Sequence, residues 1–267
     1  MGSVEAFDWP DGDIILRATH RANSRDFRVH KLLLSLTSPV FRDMFQLAKP
    51  SSSASTVDII DMADPPRAVE VILRLIYPSV DPPVISDLTL LSEVLAVAEK
   101  YGMAVARSRF RRYLVEFAKT EPLRVYGLAY RLGFEGEMKI ASSRSTSIHL
   151  PELVGLPEEL KLIPAMEYHR LILLHARYRK EVEAIARRAE LPVLVFGNQI
   201  MSQHNISQRE RQQVVDSIRE GTPLNYESLL RRVVRKGHGD YEDAERSSFG
   251  NFIRCVLDKA NELNLTV

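Results

Sequence analysis

Near the start of the chain, β-branched and aromatic residues come in short runs separated by polar turns. Asp13-Ile14-Ile15-Leu16 and Asp26-Phe27-Arg28-Val29-His30 read as two short antiparallel strands, with a turn-rich stretch containing Asn23 and Ser24 between them. The period then lengthens. Lys31 to Leu36 and Pro39 to Phe45 read as two short helices, the second opened by Ser38 as N-cap with Pro39 at its first position. Ser51 to Ser55 is a polar loop, and Thr56 to Ile60 has the β-branched content of a third strand. Asp64-Pro65-Pro66 opens a helix with Val69, Ile72, Leu73 and Ile76 on one face, and Pro78 ends it. Another runs from Asp87 to Tyr101, stopped by Gly102, and a third buries Phe110, Tyr113, Leu114 and Phe117.

Beyond Thr120 the pattern is helical throughout. Thr120 is the expected cap of a helix with Pro122 in its first turn and Leu123, Tyr126, Ala129, Tyr130 and Leu132 buried before Gly133. Pro164 opens the longest helix, to about Arg188, with Tyr168, Leu171, Ile172, His175, Tyr178, Val182 and Ile185 as its apolar stripe. Ser207 and Glu210 have capping-box spacing ahead of Val214, Val215 and Ile218, and Gly221 and Pro223 close that helix. Tyr226 to Lys236 and Asp240 to Leu263 complete the series, the last burying Phe249, Phe252, Ile253, Val256, Leu257 and Ala260.

Composition narrows the function classes. The apolar fraction of 45% in 267 residues supports a real core. Thirty-six Lys and Arg against 35 Asp and Glu leave a net charge of +1, so no global field draws the chain to nucleic acid or to an acidic membrane. The single cysteine, Cys255, rules out an internal disulfide framework and any zinc site needing two thiolates, and it favours a reducing compartment. No run of about 18 apolar residues offers a membrane span, and Met1 to Asp13 does not read as a secretory signal. The expectation is an intracellular protein of cytoplasm or nucleus.

One stretch carries a family resemblance. Asp26-Phe27-Arg28-Val29-His30-Lys31-Leu32-Leu33-Leu34-Ser35, continued by Ser38-Pro39-Val40-Phe41-Arg42-Asp43-Met44-Phe45, resembles the signature of BTB (POZ) domains. Asp13 and Leu16 in the first strand, Val57 to Ile60 in the third, and Leu75-Ile76-Tyr77 add to it. Glu121 to Tyr126 with Leu132-Gly133 looks like the helical continuation of the uncharacterised fungal BTB proteins. The resemblance implies an α+β fold, a small sheet flanked by helical hairpins, followed here by an all-α C-terminal region. The expected divisions are a BTB/POZ domain at 1–118, a helical extension at 119–190 and a C-terminal helical region at 191–267. It also implies a non-enzymatic scaffold that homodimerises and recruits a further protein. In one branch of the family the domain binds a cullin scaffold of a ubiquitin ligase through a hydrophobic-x-Glu element. The corresponding stretch here is Leu47-Ala48-Lys49, which reverses the charge at its last position. No kelch, zinc-finger or ankyrin pattern follows.

Candidate chemistry outside that resemblance is thin, and no cofactor, metal or catalytic residue is expected. His30-Lys31 could serve as a base, but the expected role of His30 is a ring nitrogen held by a backbone group at the strand-to-helix junction, with Asp13 ordering the strand end. His238-Gly239-Asp240 lacks any nucleophile elbow or phosphate loop around it. His169 and His175 lie six positions apart, which at about 100° per residue is not one helix face. Cys255 reads as a small core residue. The basic runs Arg107 to Arg112 and Arg231 to Lys236 raise nucleic acid as a partner, against a plainer reading as solvated helix faces. Phe7 and Trp9, ahead of the first strand, are candidates for a dimer interface; the alternative is a segment covering its own domain.

Overall fold

The computed structural model describes residues 7–47, 57–78, 80–81, 83–148, 157–189, 195–196, 199–200, 207–235 and 248–263. The chain divides into two compact units, Met1–Phe117 and Ala118–Val267.

The first unit is built on a three-stranded sheet of order β2-β1-β3. Strand β1 (Ile14–His20) runs antiparallel to β2 (Asn23–Val29) and parallel to β3 (Asp58–Met62). Alternation decides the faces: Ile14, Leu16 and Ala18 point into the core with Phe27 and Val29, and the opposite face carries the Arg17–Asp26 pair at 2.9 Å and the Thr19–Ser24 contact. Asn23 and Ser24, expected in the turn, are paired residues of β2; the hairpin loop is Arg21 and Ala22. Arg21 takes φ +54, the positive value that the first loop residue of a two-residue hairpin turn needs. The backbone geometry of the hairpin, and not a glycine, sets that conformation.

Helices α1 (Lys31–Thr37) and α2 (Pro39–Leu47) form a hairpin hinged at Ser38. The Ser38 hydroxyl accepts from Phe41 N–H at 3.1 Å, which caps α2, and donates to the Tyr101 carbonyl at 2.5 Å. Phe41 then stacks on Tyr101, with ring centres 4.7 Å apart. Helix α3 (Pro66–Ile76) buries Val69, Ile72 and Leu73 against α4 (Leu88–Lys100), whose N-terminus is capped by Asp87 through Leu90 N–H at 2.8 Å. Gly102, at φ +64, turns the chain into α5 (Ala104–Arg111). The expected single helix here is broken: α5 is followed by α6 (Tyr113–Phe117), and Tyr113 lies at the surface with its ring 6.3 Å from that of buried Phe110. Phe117 is half-buried.

In the second unit, α7 (Pro122–Arg131) packs on α8 (Glu135–Ser145) and on the short α9 (Glu158–Lys161). The N-cap position of α7 is Glu121 and not Thr120, since Pro122 occupies the first turn. Mid-helix Gly127 lets α9 approach: a Cβ there would lie 2.5 Å from the Glu159 carbonyl oxygen. Helix α10 (Ala165–Arg188) buries Leu171, Leu174, His175, Tyr178, Val182 and Ala186. Its stripe passes through Leu174 and leaves Ile172 exposed. Helices α11 (Gln208–Arg219), α12 (Tyr226–Arg235) and α13 (Ser248–Asn261) close on the later turns of α10, and Ser207 with Glu210 forms a full capping box on α11. Tyr178, Val182, Val215, Ile218, Leu229, Phe252 and Val256 share one core, so the core is continuous across the division expected at 190/191. Arg211 ties it together by donating to the carbonyls of Ala186 and Ala189 at the end of α10, at 3.0 and 2.6 Å, while lying over the Phe252 ring. A minimal hairpin, β4 (Val195–Phe196) with β5 (Gln199–Ile200), is the exception to the all-α expectation. The expected start of the last helix at Asp240 lies outside the described residues.

Candidate functional site

Around the strand-to-helix junction of the first unit, one tyrosine organises the signature residues. The Tyr77 hydroxyl accepts from His30 N–H at 2.9 Å and meets His30 Nδ1 at the same distance. One hydroxyl thus bridges the His30 amide and ring, and Nε2 of the same ring lies 3.4 Å from the Asp11 carboxylate. Burial is the main reason the Tyr77 hydroxyl is harder to ionise than usual; the His30 amide opposes that shift, and Asp13 and Asp11 reinforce it. The expected backbone partner of the His30 ring is therefore replaced by a side chain from the end of α3, 47 positions away. Asp13 accepts from Lys31 N–H at 2.7 Å and so supplies α1 with the cap that its own N-cap residue, His30, does not provide. Lys31 pairs with Asp58 of β3 at 2.7 Å.

Phe7 and Trp9 close the same cluster from within the subunit. Phe7 is only 3% exposed and packs edge-on against Phe27 and Tyr77, and Trp9 stacks on Tyr77 with ring centres 5.6 Å apart. Backbone bonds Arg28 N–H to Phe7 O (2.7 Å) and Trp9 N–H to Arg28 O (3.3 Å) lay this segment along the open edge of β2. Phe7 is thus core of its own domain, and the segment covers the open edge of its own sheet. The contact could not be read locally, because its partner Tyr77 lies far along the chain.

Leu16, Phe27, Ser38 and Phe41 are buried, and Met44 and Phe45 are half-buried. Pro39 is exposed beside Gly102, where a Cβ would stand 3.0 Å from its ring. Behind them Asp64 accepts from the Tyr101 hydroxyl and from Lys100, each at 2.7 Å. Burial first, then this bond to Asp64, pushes the Tyr101 hydroxyl well above its ordinary range.

What faces solvent is apolar. Leu32 and Leu36, one turn apart on α1, are 69% and 73% exposed, and Val40 continues the patch at the start of α2. Gly102 adjoins Pro39 and Val40, and exposed Val105 follows it on α5. Leucines exposed together on one helix in this way mark a binding surface more often than singly scattered ones do. Its signal was present in the sequence: α1 reads Lys-Leu-Leu-Leu-Ser-Leu-Thr, more leucine than one buried face of a seven-residue helix can absorb. Leu47, at the end of α2, is 84% exposed; Lys49 lies outside the described residues.

In the second unit, buried His175 meets the Ser145 hydroxyl at 2.9 Å through Nε2 and the Ile148 carbonyl at 3.2 Å through Nδ1. Ser145 is itself buried and donates to the Ser142 carbonyl, so the pair ties α8 to α10 and presents no nucleophile to solvent. His169 is exposed and Cys255 is half-buried. Arg231 is paired with Glu227, and Arg232 with Glu220 at 3.0 Å. His238-Gly239-Asp240 lies outside the described residues. Among the described residues no three His, Cys, Asp or Glu converge as metal ligands, and no helix is long and apolar enough to cross a membrane.

Residues 12–117 match the family model of the BTB/POZ domain. No curated protein matches the chain.

Proposed function

Residues 12–117 of this chain are a BTB/POZ domain, and we propose from that premise that the protein is a homodimeric, non-enzymatic scaffold. BTB domains are interaction modules. On our reading, the α1 face joins two copies and other surfaces recruit a second protein. The single observation that carries the dimer is the patch of Leu32, Leu36 and Val40, which no residue of the same unit covers among those described. Leucines held about seven-tenths in water on a rigid helical hairpin are costly to a monomer and productive at a two-fold interface. The place of such an adaptor is inside the cell, in cytoplasm or nucleus. The test is the absolute mass of the full-length protein by light scattering over a concentration series. A dimer that dissociates on dilution supports the reading, and a monomer at every concentration overturns it.

A second reading, adaptor for a cullin ubiquitin ligase, is favoured by the exposure of Leu47 at the position of the family's hydrophobic residue and opposed by the charge of Lys49. It requires a complex with a cullin N-terminal region at micromolar concentration; absence of that complex removes it. A nucleic-acid-binding role for the C-terminal helices has less support, because Arg231 and Arg232 each already hold a carboxylate.

A further inference from the structure

One feature of the BTB unit lies apart from the apolar α1 face: a cleft of about 300 Å³ between the end of α3, the segment leading to α4, and the junction of α5 with α6. Arg74, Arg109 and Arg112 line it, with Tyr77, Phe110 and Tyr113 as aromatic walls and Pro78 and Pro83 at its border. No Asp or Glu is among the lining residues. Arg74 binds Glu70 through Nε and Nη2, at 2.9 and 2.7 Å, but Glu70 also takes Arg25 at 2.6 Å, so one carboxylate serves two guanidiniums. Arg109 and Arg112 have no carboxylate within ion-pair distance among the described residues; Arg112 Nε only reaches the Arg109 carbonyl, at 3.5 Å.

We propose that this cleft binds a phosphomonoester dianion carried on a peptide side chain of a partner protein. The proposal rests on the reading of the unit as a module that recruits proteins, and it is independent of dimerisation. Charge decides the class of ligand. Two guanidiniums without acidic partners and a third sharing one carboxylate offer a surplus that a single carboxylate does not neutralise. A phosphomonoester, with about −1.5 to −2 charge at neutral pH and three acceptor oxygens, matches that surplus and the forked donors of arginine. Shape supports it: the volume takes one side chain, and the flat walls of Phe110, Tyr113 and the prolines suit its carbon skeleton. It also gives a use to part of the basic run Arg107 to Arg112. Of the other arginines in that run, Arg107 lies 4.0 Å from Glu99 and is turned toward α4.

The test uses full-length protein and fluorescein-labelled nonapeptide libraries with a fixed central phosphotyrosine, phosphoserine, tyrosine or glutamate, read by fluorescence anisotropy, with inorganic phosphate as competitor. The expected result is saturable binding of one or both phosphopeptide libraries, at least about tenfold tighter than the unphosphorylated ones, weakened by salt and by the R109Q/R112Q double substitution. The two phosphorylated arms identify which residue carries the group. Light scattering on the double variant reads its mass alongside binding, and this separates failure of the cleft from failure of the dimer. Equal affinity for phosphorylated and unphosphorylated libraries overturns the proposal. Binding of inorganic phosphate alone, or phosphopeptide binding undiminished in a folded double variant, overturns it equally.

Discussion

Replacing Leu36 by glutamate puts the dimer reading at risk in a single step. Full burial of a leucine side chain contributes about 1.5–3 kcal/mol, so a leucine now 73% exposed has about 1–2 kcal/mol left to gain at an interface. A two-fold interface repeats every residue, so Leu36→Glu removes about 2–4 kcal/mol from the dimer and places two carboxylates in apolar surroundings. At 1.4 kcal/mol per decade the dissociation constant rises about 30- to 1,000-fold from the apolar loss alone. Light scattering at matched concentrations reads this directly as a shift from dimer to monomer, and far-UV circular dichroism checks that the fold persists. Since Leu36 makes little use of the core, the monomer keeps its helix content. Leu162→Glu, an exposed leucine of the helical unit, controls for added charge and leaves the mass unchanged. A Leu36→Glu protein that stays dimeric at the lowest measurable concentration refutes the assignment of this face.

Other predictions concern the framework. Gly127→Ala gains up to about 1 kcal/mol in helix propensity but drives a methyl to 2.5 Å from the Glu159 carbonyl oxygen, an overlap costing about 1–3 kcal/mol or more; thermal denaturation shows a lowered midpoint, and an unchanged or raised one contradicts the close approach. Burial alone would raise the Glu159 carboxyl, but its bonds to Arg124 outweigh this and hold it below 4.5, so its stabilisation is complete above that pH and is lost as pH falls through the lowered folded value. Urea titrations at stepped pH therefore show a steeper acid loss in the wild type than in Arg124→Gln; parallel profiles remove the Arg124 effect. Arg21→Gly relieves a left-handed arginine, worth about 1–2 kcal/mol, against an unfolded-state cost of about 0.4–1 kcal/mol. The variant is as stable as the wild type or slightly more so, and a loss above about 1 kcal/mol in urea unfolding contradicts the turn geometry.

Elements whose cause is local were legible in the sequence. Ser38 with Pro39 and the Ser207–Glu210 box each place the donor and acceptor of a cap within three residues, and each is made as read; Asp87, read as the first residue of its helix, is in the structure the cap of α4. Errors arose where a distant residue decides. Asn23 and Ser24 have turn composition, yet pairing with β1 holds them in register and passes the turn to Arg21 and Ala22. Phe7 and Trp9 lacked a visible core because theirs is made by Tyr77. The apolar α1 face escaped notice for the opposite reason: its leucines fit a helical pattern, and periodicity does not distinguish a face turned to the core from one turned to a partner.

The two units differ in how their surface charge and apolar area are balanced, and this bears on where recruitment occurs. In the helical unit the arginines serve internal ends: Arg219 and Arg187 converge on Glu183, Arg124 on Glu121 and Glu159, and Arg211 on the carbonyl end of α10. Glu183 is correspondingly held below its usual range, chiefly by the Arg219 bond. The Arg219–Glu183 and Arg124–Glu159 pairs join helices to each other. The BTB unit instead leaves leucines uncovered on α1 and guanidiniums without acidic partners at the α5–α6 junction. Both are arrangements that a monomer alone has no reason to hold, since uncovered leucine and concentrated like charge each raise the free energy of the isolated fold. On the proposed reading, a dimer formed through the α1 face would present the cleft twice, so a partner carrying two phosphorylated side chains would bind with avidity that a monomeric variant such as Leu36→Glu loses.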